Sequence, residues 1–178
     1  MNSKPIIYQM LPRLWGNDNE NLTHNGNLNE NGTGKFSDID TATLEYLKWL
    51  GCSHLWLTGV IRHSTQESTQ GCMASHPQFV KGKAGSPYAI CDYYDVNPYL
   101  ADNPDDRIGE FQRLVDKIHD AGLKVIVDFV PNHVSRDYGK VNPVILAAAS
   151  IAGVDRIFKI GGAGAIAALA ACDYIDAK

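Results

Sequence analysis

Three short apolar runs separated by helical periodicities leave this chain few folds to choose from. The runs span residues 5–10, 53–57 and 124–130. The last reads Val-Ile-Val-Asp-Phe-Val after Lys124, apolar on both faces, the pattern of a parallel strand covered by helices. Ser37 and Asp38 offer N-caps for a first helix, whose Leu44, Leu47 and Leu50 share a face and which Gly51 stops. Asp105 or Asp106 opens a second helix, with Ile108, Phe111, Val115 and Ile118 on one face, Leu114 beside them and Gly122 at its end. The resulting βαβαβ order implies an α/β fold with right-handed crossovers and a parallel sheet or barrel.

Between these elements the spacing predicts one long Asn- and Gly-rich loop over 16–35. A polar and aromatic excursion up to Pro104 has the length of a functional loop or small subdomain. After Gly139 the composition changes to Ala, Ile and Gly. A helix is expected there over about 142–152, a strand over 156–160 and then a second Ala-rich helix. The chain therefore divides into residues 1–140 and 141–178.

A net charge of -4 supplies no basic field for phosphate contacts, so nucleic acid is not an expected partner. No apolar stretch has the length of a membrane span, and the most apolar region, 144–171, is interrupted by Asp155, Arg156 and Lys159. The start lacks the apolar run of a signal peptide, and cytoplasmic residence is expected. Cys52, Cys72, Cys91 and Cys172 have no metal-binding or redox spacing and read as free thiols.

In a parallel barrel the reactive groups sit at the C-terminal ends of strands, which singles out Asp128. A carboxylate in an apolar strand must meet donors or cations, and Asn132 and His133 just beyond are the natural candidates. On these residues alone, Asp128 reads equally well as a buried structural carboxylate or as a ligand-binding one.

The order Asp128-Phe129-Val130-Pro131-Asn132-His133 resembles the first conserved region of the α-amylase family, glycoside hydrolase family 13. The segment from Ser86 through Tyr88, Asp92-Tyr93-Tyr94 and Val96-Asn97-Pro98 is similar to a second family segment. Ile7-Tyr8-Gln9-Met10-Leu11-Pro12-Arg13 and Leu47-Lys48-Trp49-Leu50-Gly51 fit as well, so the resemblance covers about residues 5–139. It implies the first three βα units of a (β/α)8 TIM barrel from a retaining hydrolase of α-glucosidic bonds. By the same resemblance Tyr88 stacks on a sugar ring, Asp92 holds the substrate-side network, His133 donates to a sugar hydroxyl and Asp128 supports the nucleophile region. Asn132 corresponds to a calcium ligand in many relatives, and calcium is the cofactor to test. The expected partner is an α-glucan or maltooligosaccharide.

A retaining glycosidase needs two carboxylates about 5 Å apart. In the family these follow on later strands, and no segment after His133 resembles those regions. Residues 141–170 instead resemble an internal helix–strand–helix piece of histidinol dehydrogenase, departing from it at Gly164, where that family has a cofactor-contacting Gln. The Gly161–Gly164 turn reads as a tight strand-to-helix turn before it reads as an anion site. The expectation is a chimera joined near Gly139-Lys140, catalytically silent, with open sheet edges that favour self-association.

Overall fold

The computed structural model describes residues 4–69 and 72–138. The helix–strand–helix pattern of 141–178, with its Gly161–Gly164 turn, falls outside them, as does Cys172. Three strands, β1 (Ile7–Met10), β2 (His54–Leu57) and β5 (Lys124–Val127), form a parallel sheet in the order β1-β2-β5. The helices α2 (Thr41–Trp49) and α3 (Arg107–Asp120) make the crossovers.

Register explains where the core sits. Tyr8, Leu55 and Val125 form one row across the sheet, and Met10, Leu57 and Val127 another. Both rows pack with Leu44 and Leu47 of α2 and with Leu114 and Ile118 of α3. The opposite face carries Ile7, Gln9, His54, Trp56 and Ile126, and Ile7 there stays 48% exposed. Among the described residues the third run is covered by helices on one face, and its strand ends at Val127, although the Asp128 N–H still donates to Leu57 O at 3.2 Å.

Several boundaries differ from the expectation for local reasons. Asp40 caps α2, accepting from the Thr43 N–H at 2.8 Å, because Asp38 is already engaged by the Lys35 N–H at 2.7 Å. Leu50 follows the last helical residue and is 41% exposed, outside the buried face of Leu44 and Leu47. Gly51 adopts φ +83°, the left-handed stop expected of it. Asp106 precedes α3 without a capping hydrogen bond, since its carboxylate pairs with Arg113 at 2.7 Å. Ile108 remains 50% exposed, while Phe111 packs against Phe36 with ring centroids 5.5 Å apart.

The stretch 16–35 is not loop throughout. It contains the short helix α1 (Leu28–Asn31), closed by a reciprocal capping box between Asn27 and Glu30. The long excursion is a subdomain built on an antiparallel pair, β3 (Ile61–His63) and β4 (Ile90–Val96), with register shifts beside Arg62. Asp95 ties it to α3, accepting from Arg62 at 3.2 Å and from Arg107 at 2.6 and 3.0 Å. Among the described residues, no helix is long and apolar enough to cross a membrane.

Candidate functional site

The C-terminal ends of the parallel strands open toward the β3–β4 subdomain, and two connections shape the region between. Beyond Asp128 the chain lies against β4. The Tyr93 ring sits 5.5 Å from Phe129 and 5.8 Å from Tyr138, and its hydroxyl donates to Val130 O. The Ser135 N–H donates to Ile90 O at 2.7 Å, and its hydroxyl meets that of Ser64. The second connection leads to Tyr88 through Gly85, at φ +67°, where a Cβ would stand 1.9 Å from Ser64 O. Only glycine fits that approach.

Tyr88 is 44% exposed, so an aromatic face remains available to a ligand. Asp92 lies on β4, where its carboxylate accepts from the Tyr94 N–H at 2.9 Å. Burial nevertheless pushes its pKa up; the Tyr94 bond opposes that shift and the charge of Asp95 adds to it. His133 and Asn132 are exposed neighbours, the Asn132 amide standing 2.8 Å from His133 Nδ1. Since an amide nitrogen only donates, Nδ1 accepts, which leaves the proton on Nε2 as a donor to a ligand.

Asp128 is met differently from expectation. Asn132 and His133 bond each other, and the group beside the Asp128 carboxylate is the Trp56 indole of β2. Burial raises the pKa of Asp128 and the indole N–H partly offsets it, without closing a hydrogen bond of normal geometry. Parallel register explains this neighbour, because Trp56 pairs with Ile126, two residues before Asp128 on the same face.

Asp128 follows β5, Asp92 lies on β4, Tyr88 precedes that strand and His133 lies beside Asn132, and among the described residues no hydrogen bond or ion pair links the four to one another. Calcium takes six to eight oxygens, and among the described residues no three His, Cys, Asp or Glu side chains converge to hold a metal ion.

The Arg62–Asp95–Arg107 cluster escaped the sequence reading because its members lie far apart in the chain and follow no period. It borders a cavity of about 320 Å³ lined by Arg62, His63, Thr65, Cys72, Cys91 and Tyr99. Burial lowers the His63 pKa and favours a neutral ring there. Both cysteines are free thiols, and burial pushes that of Cys91 up to about 11.

The raised pKa of Asp92 has a measurable consequence. A carboxylate whose folded pKa exceeds its unfolded one loses stability for the fold as pH rises from the ordinary value of 3.8 through the raised one. Asp92→Asn is therefore expected to raise the urea midpoint at neutral pH. That gain should vanish when unfolding is measured below pH 3.8.

Two family profiles match the chain. The one described as alpha amylase, catalytic domain, matches residues 23–145, and that of histidinol dehydrogenase matches residues 118–174. Trehalose-6-phosphate hydrolase of Bacillus subtilis is 31% identical over 135 residues, 76% of this chain and 18% of that protein. Histidinol dehydrogenase of Syntrophotalea carbinolica is 60% identical over 50 residues, 28% of this chain and 11% of that protein. The crystal structure of an α-amylase from Lactobacillus plantarum superposes with a TM-score of 0.52 at 31% identity, covering 76% of this chain and 24% of that one. This chain spans 11–19% of the length of the curated relatives it matches.

Proposed function

Since the chain belongs to the α-amylase catalytic-domain family, we propose that residues 1–140 are the opening three βα units of a (β/α)8 barrel that binds α-1,4-linked glucan without cleaving it. The observations that carry this reading are the exposed aromatic face of Tyr88, in the turn before β4, and the exposed His133 beyond β5, whose Nδ1 accepts from Asn132 and so leaves the proton on Nε2. An aromatic face suits the apolar side of a pyranose ring, and a fixed donor suits a hydroxyl at its rim. Asp92 and Asp128 complete the polar lining. Burial raises the pKa of each, so each holds its proton to higher pH than an exposed aspartate does.

Retention requires a nucleophile and an acid/base about 5 Å apart on either side of the glycosidic bond. Asp95, the carboxylate nearest Asp92 in the chain, is held by two arginines, and Asp128 faces an indole. Residues 141–178 form the second region of the proposed chimera, joined near Gly139. Their likeness to histidinol dehydrogenase is confined to a segment, so dehydrogenase chemistry is not part of the proposal. Cytoplasmic residence fits the free thiols of Cys52, Cys72 and Cys91, and self-association fits the sheet edges that no described residue pairs.

The test is hydrolysis of a chromogenic maltoside by mass-verified protein, beside His133→Ala. The expected result is no turnover by either. Turnover that falls in His133→Ala would show a complete catalytic centre and overturn the non-catalytic reading.

A further inference from the structure

We infer that the cleft shared by segments 24–31 and 77–85 binds a phosphate dianion, free or carried as the monoester of a small organic ligand. The cleft holds about 710 Å³. Arg13, half-buried in the chain beyond β1, lines it together with Lys81 and Lys83, and His24, Asn25 and Gln66 add polar side chains. Among the described lining residues there is no Asp or Glu, in a chain whose 20 acids outnumber its 16 lysines and arginines. Glu30 of α1 serves the capping box instead, accepting from the Asn27 N–H at 2.8 Å. Three cations gathered on one cleft repel one another and attract an anion, and the cleft walls strengthen that field. Tyr88 and His133 do not line it.

Local structure holds these cations in place. Arg13 Nη1 donates to Gly85 O at 3.1 Å, and the Arg13 carbonyl accepts from the Gly34 N–H at 2.8 Å. The other N–H groups of the guanidinium form a fork that suits the oxygens of a phosphate. Burial lowers the pKa of Arg13, yet a guanidinium stays charged at neutral pH, so a bound anion would offset the cost of keeping that charge out of water. Lys81 and Lys83 flank Gly82, which turns the chain at φ +70°. Gln66 pins this turn from both sides, its N–H donating to Lys83 O at 2.9 Å and its amide to Val80 O at 3.2 Å. A single carboxylate would neutralise one of the three charges. A phosphate group brings nearly two negative charges at neutral pH and several acceptor oxygens to share among them.

The test is titration of the full chain at low ionic strength with inorganic phosphate, glucose 6-phosphate and glucose, following backbone amide resonances. Saturable shifts are expected at Lys81, Gly82 and Lys83 with either phosphate and not with glucose. Tighter binding of glucose 6-phosphate identifies the monoester as the occupant, and equal or tighter binding of inorganic phosphate identifies the free ion; both support the site. Lys81→Gln combined with Lys83→Gln should weaken binding at least about 10-fold, through the loss of two charge-assisted contacts. Lys48→Gln combined with Lys124→Gln removes the same charge from exposed positions outside the cleft and should change binding less than about twofold, because solvent and salt screen distant charges. Arg13→Gln should weaken binding as the lysine pair does; should that variant unfold, the lysine pair decides. Absence of saturable shifts, equal shifts with glucose, or equal losses in the two double variants would each overturn the inference.

Discussion

Asp95→Ala is expected to destabilise the chain by about 3–5 kcal/mol, read as a fall in the urea midpoint, because it leaves a buried charge without its partner. Arg62 is 5% exposed, and among the described residues its guanidinium has no second carboxylate in salt-bridge contact. Arg107 is less dependent, since its side chain is 18% exposed and also donates to Pro104 O at 2.7 Å. Asp106→Ala is the internal control. It removes an ion pair whose side chains are 63% and 49% exposed, and solvent screening leaves such a pair little effect on stability. Equal effects from the two substitutions would mean that Arg62 reaches water.

Leu55→Ala is the second large expected effect, about 2–5 kcal/mol from lost burial and the cavity left behind. Leu55 is fully buried in the central strand, in the row shared by Tyr8 and Val125 and in the core formed with α2 and α3. A vacancy there touches both layers at once, so unfolding should remain a single transition with a lower midpoint. A loss below about 1 kcal/mol would indicate that the sheet and helices close over the gap. Asp95→Ala acts instead where the β3–β4 pair joins α3. Its damage should reach the cavity beside Arg62 before it reaches the parallel sheet.

The sheet was legible in the sequence because each strand is a compact apolar run and each crossover helix ends at a glycine, Gly51 or Gly122, that adopts positive φ. What the sequence hid was the choice among nearby equivalents and the partners across space. Ser37, Asp38 and Asp40 all have capping side chains within four positions, and only the hydrogen bond from Lys35 to Asp38 leaves Asp40 as the cap. Asn27 and Glu30 carried a capping box that composition masked, since the surrounding stretch is rich in Asn and Gly. The β3–β4 pair joins Ile61 to Val96 with register shifts, so no turn signal announces it. Trp56 reaches Asp128 only through the β2–β5 register, which neither strand's sequence contains. Tyr88, Asp92 and His133 were found through motif resemblance, and the structure adds the exposure of one, the burial of the second and the tautomer of the third.

The most direct test is residue-level titration of the intact chain with maltoheptaose, following the Tyr88 ring and His133 imidazole resonances while the sugar is checked for cleavage. Saturable shifts are expected at both side chains, with at least about 10-fold weaker binding in Tyr88→Ala from the lost stacking contact and intact sugar at the end. Shifts absent from Tyr88 and His133, or maltoheptaose shortened during the titration, would contradict that expectation.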